Sequence, residues 1–379
     1  MEDTPMTEEP LDPPQLTPTA ANQHVMHYIE TTFNTILNEI TLPSSNGKPV
    51  ITLKRIVSVK PYYDDDDFAQ LKWHIESREV NYHFPGKNQD EAWRFACVGR
   101  ILGEIYAAIK HGVTITKRDI YYHDPDIFKS QVIVDRYVDD VAHTCQVTRR
   151  DLNVVASPKG LVAGLSNAPA NDETPVIQTI CDSTPIIKIA HINWMLVVEK
   201  EATFNALVER EFHQDPIIGP GLLVTAKGYP DLATKHFLRR ILDQAPGAIQ
   251  VFGLFDWDPD GIRILKCYLY GSMNLAQESD CNIPEMRWIG LKGADVAGCQ
   301  QVEGASMALT PRDRTAAISM LASPEWQDDS GDILPGLCGA VTELRQMLVL
   351  NRKADIQSLD ETQSGLEVWL TEKLMVQLD

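Results

Sequence analysis

From residue 88 onward, apolar and polar positions alternate regularly enough to be read as elements. Asn88 and Glu91 form a capping-box pair ahead of Trp93, Phe95, Ala96, Ile101, Ile105 and Ala108, which share one helical face, and Gly112 follows as a stop. A second helix is predicted to start at Thr116, whose hydroxyl can cap it, with Asp119 three residues on and Ile115 and Ile120 placed as a hydrophobic staple. A third spans about 130–145 with Val134, Tyr137, Val138 and Val141 on one side, and a short fourth lies near Thr148. Residues 154–162 read as two short strands around a Ser-Pro-Lys-Gly turn. Short helices followed by a small hairpin predict a winged helix-turn-helix domain. Upstream, 22–40 carries Val25, Ile29, Phe33, Ile36 and Ile40 at helical spacing, 54–59 reads as a strand, and the acidic run 64–67 as a solvated loop.

Beyond a Pro-, Asn-, Asp- and Thr-rich stretch at 167–184 the pattern changes to strand then helix: strands at 194–198, 221–224 and 249–255, helices at 201–213, 231–242 and 261–270. That order predicts an α/β domain with a mainly parallel sheet. Helices at 341–350 and 366–374 follow, and the pattern does not give their place. The expected organisation is multi-domain α/β: a disordered acidic, Pro-rich tail at 1–20, an N-terminal helix and extension at 21–87, the winged-helix domain at 88–166, and the sheet domain with its late helices at 167–379.

With 379 residues, 44% of them hydrophobic, the chain can build two or three ordinary cores. No apolar run approaches the roughly 20 residues of a membrane span, and the first 20 residues have no apolar signal core, so a soluble intracellular chain without membrane partners is expected. The seven cysteines never form a Cys-x-x-Cys pair, which indicates neither a disulfide framework nor a thiolate zinc site. A net charge of -19 argues against nonspecific coating of DNA. Between residues 94 and 159, however, Lys117, Arg118, Lys129, Arg136, Arg149, Arg150 and Lys159 roughly balance the acids, enough for a local basic face with Arg136 and Lys159 as candidate DNA contacts.

Two groups of residues carry chemistry. In Lys117-Arg118-Asp119-Ile120-Tyr121-Tyr122 the staple turns Ile120 inward, and a rotation of about 100° per residue then turns Tyr122 to the opposite side with Tyr121 between. A phenol is a poor nucleophile unless a neighbour helps it ionise; Arg118, one turn earlier, can do that or clamp a phosphate with its planar fork. Tyrosine pairs on amphipathic helices are also ordinary packing residues. The second group is Glu199 at the end of one apolar strand and Asp256 and Asp258 at the end of another, where open α/β sheets gather ligands. Such hard oxygen donors suit Mg²⁺. Asp260 reads as a helix cap. An acidic turn, or a calcium loop with its flanking helices and late Glu, is the competing reading of this segment. Between the two strands, Lys227 and the backbone amides around Gly228 are placed to receive a phosphate, or to make a structural turn.

Taken together, these segments resemble the family that contains the A subunit of topoisomerase VI and its eukaryotic relatives that make meiotic double-strand breaks. The matching stretches are Lys117-Arg118-Asp119-Ile120-Tyr121-Tyr122, 157–164 (Ser-Pro-Lys-Gly-Leu-Val-Ala-Gly), 197–204 (Val-Val-Glu-Lys-Glu-Ala-Thr-Phe), 227–231 and 255–261, with 345–359 similar to the family's C-terminal region. The resemblance implies a winged-helix domain followed by a Toprim domain, with Tyr122 as nucleophile, Arg118 and Asp119 in support, and Mg²⁺ on Glu199, Asp256 and Asp258. It also implies a DNA transesterase that leaves a 5′-phosphotyrosyl bond, works as a homodimer on double-stranded DNA at meiotic chromosomes in the nucleus, and depends on other break-forming proteins together with a topoisomerase VI B-like subunit. Departures are Ala226 for a common glycine, Lys235 for a usual arginine, and Asp260. No Walker-type Gly-x-x-x-x-Gly-Lys-Ser/Thr loop is present, so any ATPase belongs to a partner. Two other readings remain: a topoisomerase VI A-type chain that religates DNA with an ATPase partner of the B type, and a catalytically idle DNA-binding scaffold.

Overall fold

A computed structural model describes residues 18–41, 47–64, 67–165, 177–181, 184, 191–271, 281–298, 300–328, 330–359 and 365–378. Most of the expected tail and most of 167–184 lie outside them, as do the two middle residues of the acidic run at 64–67. Contacts divide the chain into two units, Met1–Ile56 with Ser77–Ser157, and Val57–Glu76 with Pro158–Asp379.

The first unit opens with α1 (Ala20–Thr41); β1 (Val50–Asp64) and β2 (Asp67–His83) follow and pair as a two-stranded ribbon, of which Val57–Glu76 counts with the second unit. Asp64 and Asp67 therefore end and begin strands. Next come α2 (Gln89–His111), β3 (Ile115–Thr116), α3 (Lys117–His123), α4 (Pro125–Phe128), α5 (Gln131–Cys145) and β4 (Val154–Val155). Local chemistry sets the helix ends. Asn88 accepts the Glu91 N–H at 2.9 Å, while Glu91 reaches back to the Lys87 N–H at 2.8 Å, one residue before the cap. Gly112 takes the left-handed conformation (φ 63°) that closes α2. Val25, Ile29, Ile101, Ile105, Ile120, Phe128, Val134 and Val138 fill one buried core, each contributing on the order of 1.5–3 kcal/mol.

The hairpin expected at 154–162 does not form. Val154 and Val155 pair in parallel with Ile115 and Thr116, whereas β5 (Leu161–Ala163) runs antiparallel in the sheet of the second unit. The units divide between them, after Ser157. Alternation over two or three residues specifies no partner, and Pro158 has no N–H to offer a ladder.

In the second unit, β6 (Gln178–Thr179), β7 (Trp194–Val198), β8 (Gly221–Thr225), β9 (Gln250–Leu254) and β10 (Arg287–Trp288) join β5 in a six-stranded sheet of order β10-β9-β7-β8-β5-β6. Strands β10, β9, β7 and β8 are mutually parallel; β5 is antiparallel to both its neighbours. All five residues of β7 and of β8 are buried, and apart from Thr225 both read as the apolar run of a strand covered on both faces. Gly221 allows β8 past the Trp194 ring, since a Cβ there would stand 2.2 Å from the indole.

The crossover helices are α6 (Glu201–Glu209), α7 (Leu232–Gln244) and α8 (Pro259–Tyr270). The helix expected at 201–213 ends early: Glu211 adopts a left-handed φ of 54°, and Phe212–Gln214 continues as a separate 3-10 turn. Beyond lie α9 (Gly293–Gly298), α10 (Gln300–Ala305), β11 (Met307–Ala308), α11 (Pro311–Ala322), α12 (Cys338–Leu350), β12 (Arg352–Lys353) and α13 (Gly365–Leu378). The late helices find their place here: α12 packs on α8, α9 and α11, and α13 on the turn Ile356–Leu359. No described helix is long and apolar enough to cross a membrane.

Candidate active site

The tyrosine helix α3 is seven residues long and is fixed at its start by a reciprocal capping box. Thr116 Oγ1 accepts the Asp119 N–H at 3.1 Å, and Asp119 Oδ2 accepts the Thr116 N–H at 2.8 Å. Those bonds to Thr116 hold the Asp119 carboxyl below its ordinary range. Ile120 is fully buried, Tyr121 half-buried, and Tyr122 is 69% exposed with its ring 5.4 Å from that of Tyr121, the order the helical rotation predicts. Arg118, one turn before Tyr122, is exposed. Beyond Tyr122 the helix end is tied to α2: His123 Nδ1 meets Glu104 Oε2 at 3.0 Å, and Arg100 binds both Glu104 and Asp124. Lys117 is engaged with Asp139 at 2.7 Å, a carboxylate it shares with Arg149. Arg136 is exposed on α5.

In the second unit, β7 delivers Glu199 and β9 delivers Asp256 to adjacent strand ends. The Asp256 N–H donates to Glu199 Oε2 at 2.9 Å. Burial and the neighbouring Asp256 charge push the Glu199 carboxyl up to about 8. Burial likewise raises Asp256, against the Ile356 N–H that donates to its Oδ1 at 2.8 Å and the Lys200 ammonium 2.8 Å from Oδ2. Asp258 is raised to about 6 by burial. Three carboxylates whose negative charge is this costly fit a hard divalent cation, which would relieve burial and mutual repulsion together. Among the described residues no three His, Cys, Asp or Glu side chains stand ready-grouped around a cation position.

Two expectations for this segment change. Asp258, not Asp260, caps α8, accepting the Gly261 N–H at 2.7 Å; Asp260 stands in the first turn, facing Arg263 at 3.4 Å. The helix starts at Pro259, whose fixed φ and missing N–H suit the first helical position. A buried strand precedes Asp256, so the helix-flanked calcium loop is not what forms here.

In the loop after β8, two main-chain amides fit the structural turn, one of the two readings of that segment. The Gly228 N–H donates to the Glu199 carbonyl at 2.9 Å and the Lys227 N–H to Thr225 Oγ1 at 3.1 Å. The amides of Lys227 and Gly228 are thus both engaged, one by the end of its own strand and the other by the end of β7. Lys227, in a left-handed conformation (φ 55°), places its ammonium 2.9 Å from Glu201. Lys159 is half-buried; burial and the Lys227 charge lower its pKa while Asp231 opposes them. Its main-chain N–H donates to Asp231, the cap of α7.

Several residues of this site were not picked out from the sequence. Lys200 bridges Asp256, Asp355 at 3.4 Å and Gln357 at 3.2 Å. Trp257 pairs with Ala354 through both main-chain groups. The available signals were the Lys200 that follows Glu199 and the Lys353-Ala354-Asp355 run, and neither tells which strand end it meets.

Known proteins match both units. A profile describing the Toprim domain of the topoisomerase 6 A-subunit and Spo11 family matches residues 194–374, and one described as type IIB DNA topoisomerase matches 93–154. The chain is 31% identical over 317 residues to the meiotic recombination protein SPO11 of Homo sapiens, covering 80% of this chain and 77% of that protein. It is 34% identical over 284 residues to the meiotic recombination protein rec12 of Schizosaccharomyces pombe, covering 73% and 75%. It is 32% identical over 295 residues to the A subunit of DNA topoisomerase 6 from Arabidopsis thaliana, covering 73% and 65%. With a capped tyrosine helix in one unit and a mostly parallel sheet edged by carboxylates in the other, the chain belongs to the topoisomerase 6 A-subunit and Spo11 family, and its second unit contains a Toprim domain.

Proposed function

We propose that this chain is a topoisomerase-like DNA transesterase that makes the double-strand breaks of meiotic recombination. The observation that carries the reading is Tyr122: a phenol 69% exposed, on a short helix anchored at both ends, within the segment matched by the type IIB topoisomerase profile. That exposure leaves the phenolic oxygen accessible, as attack on a phosphodiester requires.

The Tyr122 oxygen attacks phosphorus in line, the bond to the 3′ oxygen breaks, and a 5′-phosphotyrosyl bond and a free 3′-hydroxyl result. The phenolic proton leaves with the leaving oxygen or solvent, and one ester replaces another without ATP. Arg118 acts from one turn earlier, favouring the phenolate or gripping a phosphate oxygen. Asp119 acts through its cap, setting where the helix, and so Tyr122, begins. Glu199, Asp256 and Asp258 are the proposed holders of Mg²⁺, the ion in keeping with a Toprim domain; when bound it offsets charge on the phosphate oxygens. Lys159, Lys227 and Arg136 are the proposed phosphate contacts, and residues 88–157 act as a helix-turn-helix DNA reader. Each copy cuts one strand, so a double-strand break takes a homodimer. The negative charge of the chain fits a protein that relies on partners, among them a B-like subunit, to engage chromosomal DNA in the nucleus.

Recovery of the protein from meiotic cells under denaturing conditions, with labelling of any attached DNA 3′ ends, tests the reading. Label on wild type that is absent from Tyr122→Phe is the expected result. An expressed wild type that carries no label in cells that form breaks would leave the chain as a DNA-binding scaffold. The match to a DNA topoisomerase 6 chain favours one other reading, a strand-passing topoisomerase component; label that disappears on incubation with ATP and an ATPase partner, with DNA religated, would establish it.

A further inference from the structure

Trp257 stands between Asp256 and Asp258, and its indole is completely buried. In an extended segment it points away from the side shared by its two neighbours. On that far side its Nε1–H donates to Glu343 Oε2 at 2.7 Å, and the same oxygen accepts the Gly293 N–H at 2.8 Å. Glu343 lies on α12, 86 residues away in sequence. The close approach depends on Gly293, because a Cβ there would stand 3.1 Å from Trp257 Cζ2 and 3.3 Å from Glu343 Oε2. The main chain of Trp257 is clamped separately, by N–H···O bonds to and from Ala354 at 2.9 and 3.0 Å.

We propose that Glu343 is a positioning residue for the metal site: through Trp257 it fixes the direction in which Asp256 and Asp258 present their carboxylates. This rests on the reading of those aspartates as metal ligands. The physical case is one of leverage. A two-residue spacing couples both carboxylates to the rotation of the single residue between them. Backbone bonds to Ala354 hold that residue in place but leave its tilt to the side chain. A large, rigid indole held at its far end by a charge-assisted bond is what sets the tilt. The arrangement has the form of an outer-shell partner that orients ligands without touching the ion.

The test uses the full chain and Mn²⁺ as the probe, with free Mn²⁺ read by electron paramagnetic resonance, Mg²⁺ competition, and affinities expressed per folded protein. Glu343→Leu is expected to weaken Mn²⁺ binding roughly 10- to 100-fold. Glu343→Gln keeps an oxygen that accepts both N–H bonds and should stay near wild type, a rescue that loss of bulk packing would not show. Trp257→Phe keeps an aromatic ring, removes the donor, and should match Glu343→Leu, with the double variant no weaker than either alone. If Glu343→Leu does not fold, the contrast between Trp257→Phe and Glu343→Gln decides. Wild-type affinity in Trp257→Phe or Glu343→Leu, alongside loss in Asp256→Asn/Asp258→Asn, would overturn the positioning role and leave the metal site standing. A wild type that binds no more tightly than Asp256→Asn/Asp258→Asn would overturn the metal site itself.

Discussion

The main-chain N–H of Asp256 donates to the Glu199 side chain at 2.9 Å, joining two residues 57 apart in sequence across the ends of neighbouring parallel strands. One carboxylate is therefore oriented by the backbone of the residue that carries the next. The bond stabilises a charged Glu199, yet burial and the Asp256 charge prevail, and its pKa lies above the ordinary range. The site is poised to gain from any cation that enters it.

That imbalance has a pH signature. A carboxyl raised from 4.5 to about 8 by folding binds a proton more tightly in the folded state, so its contribution makes the metal-free protein less stable as pH rises across that window. Thermal melts in a chelator should fall between those values, and Glu199→Gln should flatten the slope. Added Mg²⁺ should restore stability most at the alkaline end, by about 2.7 kcal/mol at a hundredfold excess over its dissociation constant. A metal-independent slope would argue against the cation site.

Burial on α3 predicts opposite outcomes for neighbouring positions. Ile120→Ala removes a fully buried side chain and should cost about 2–5 kcal/mol, whereas Tyr122→Phe should stay within about 0.5 kcal/mol. Denaturant melts of both variants check this. A strongly destabilised Tyr122→Phe would mean that the phenol is structural.

The capping box offers a separate handle on the same helix. Thr116→Ala loses the acceptor for the Asp119 N–H and the donor to its carboxylate, and should cost about 1 kcal/mol. Because Asp119 is depressed on folding, its contribution is present above its unfolded value near 3.8 and is lost as pH falls through the folded one. Amide exchange of α3 should therefore quicken in Thr116→Ala at neutral pH and approach wild type in strong acid.

Gly160 borders the start of α7. A Cβ there would stand 2.1 Å from Thr234 Oγ1, a fully buried hydroxyl with no hydrogen-bond partner among the described residues. Gly160→Ala should be destabilised by roughly 1–3 kcal/mol, and Thr234→Ala should relieve much of that, because the oxygen it deletes makes no bond to lose. A double variant no more stable than Gly160→Ala would show that the backbone, not the clash, requires glycine.

The sequence by itself determined the local features: the caps at Asn88 and Thr116, the stop at Gly112, the unbroken apolar strand ahead of Glu199, and the inward and outward faces of α3. Each rests on interactions within one turn or on one period of alternation, so the letters suffice. The tertiary structure alone decided which strand Leu161–Ala163 joins, that the Gly228 amide is taken by the Glu199 carbonyl, and that Lys200, Ile356 and Glu343 converge on the Asp256-Trp257-Asp258 segment. The Ile356 contact closes across 100 residues and the Glu343 contact across 86. A main-chain N–H has no letter of its own, and a glutamate on a late helix looks the same whether it faces water or an indole. Burial against a particular neighbour gives such groups their chemistry, and only the packed sheet and its helices supply that neighbour.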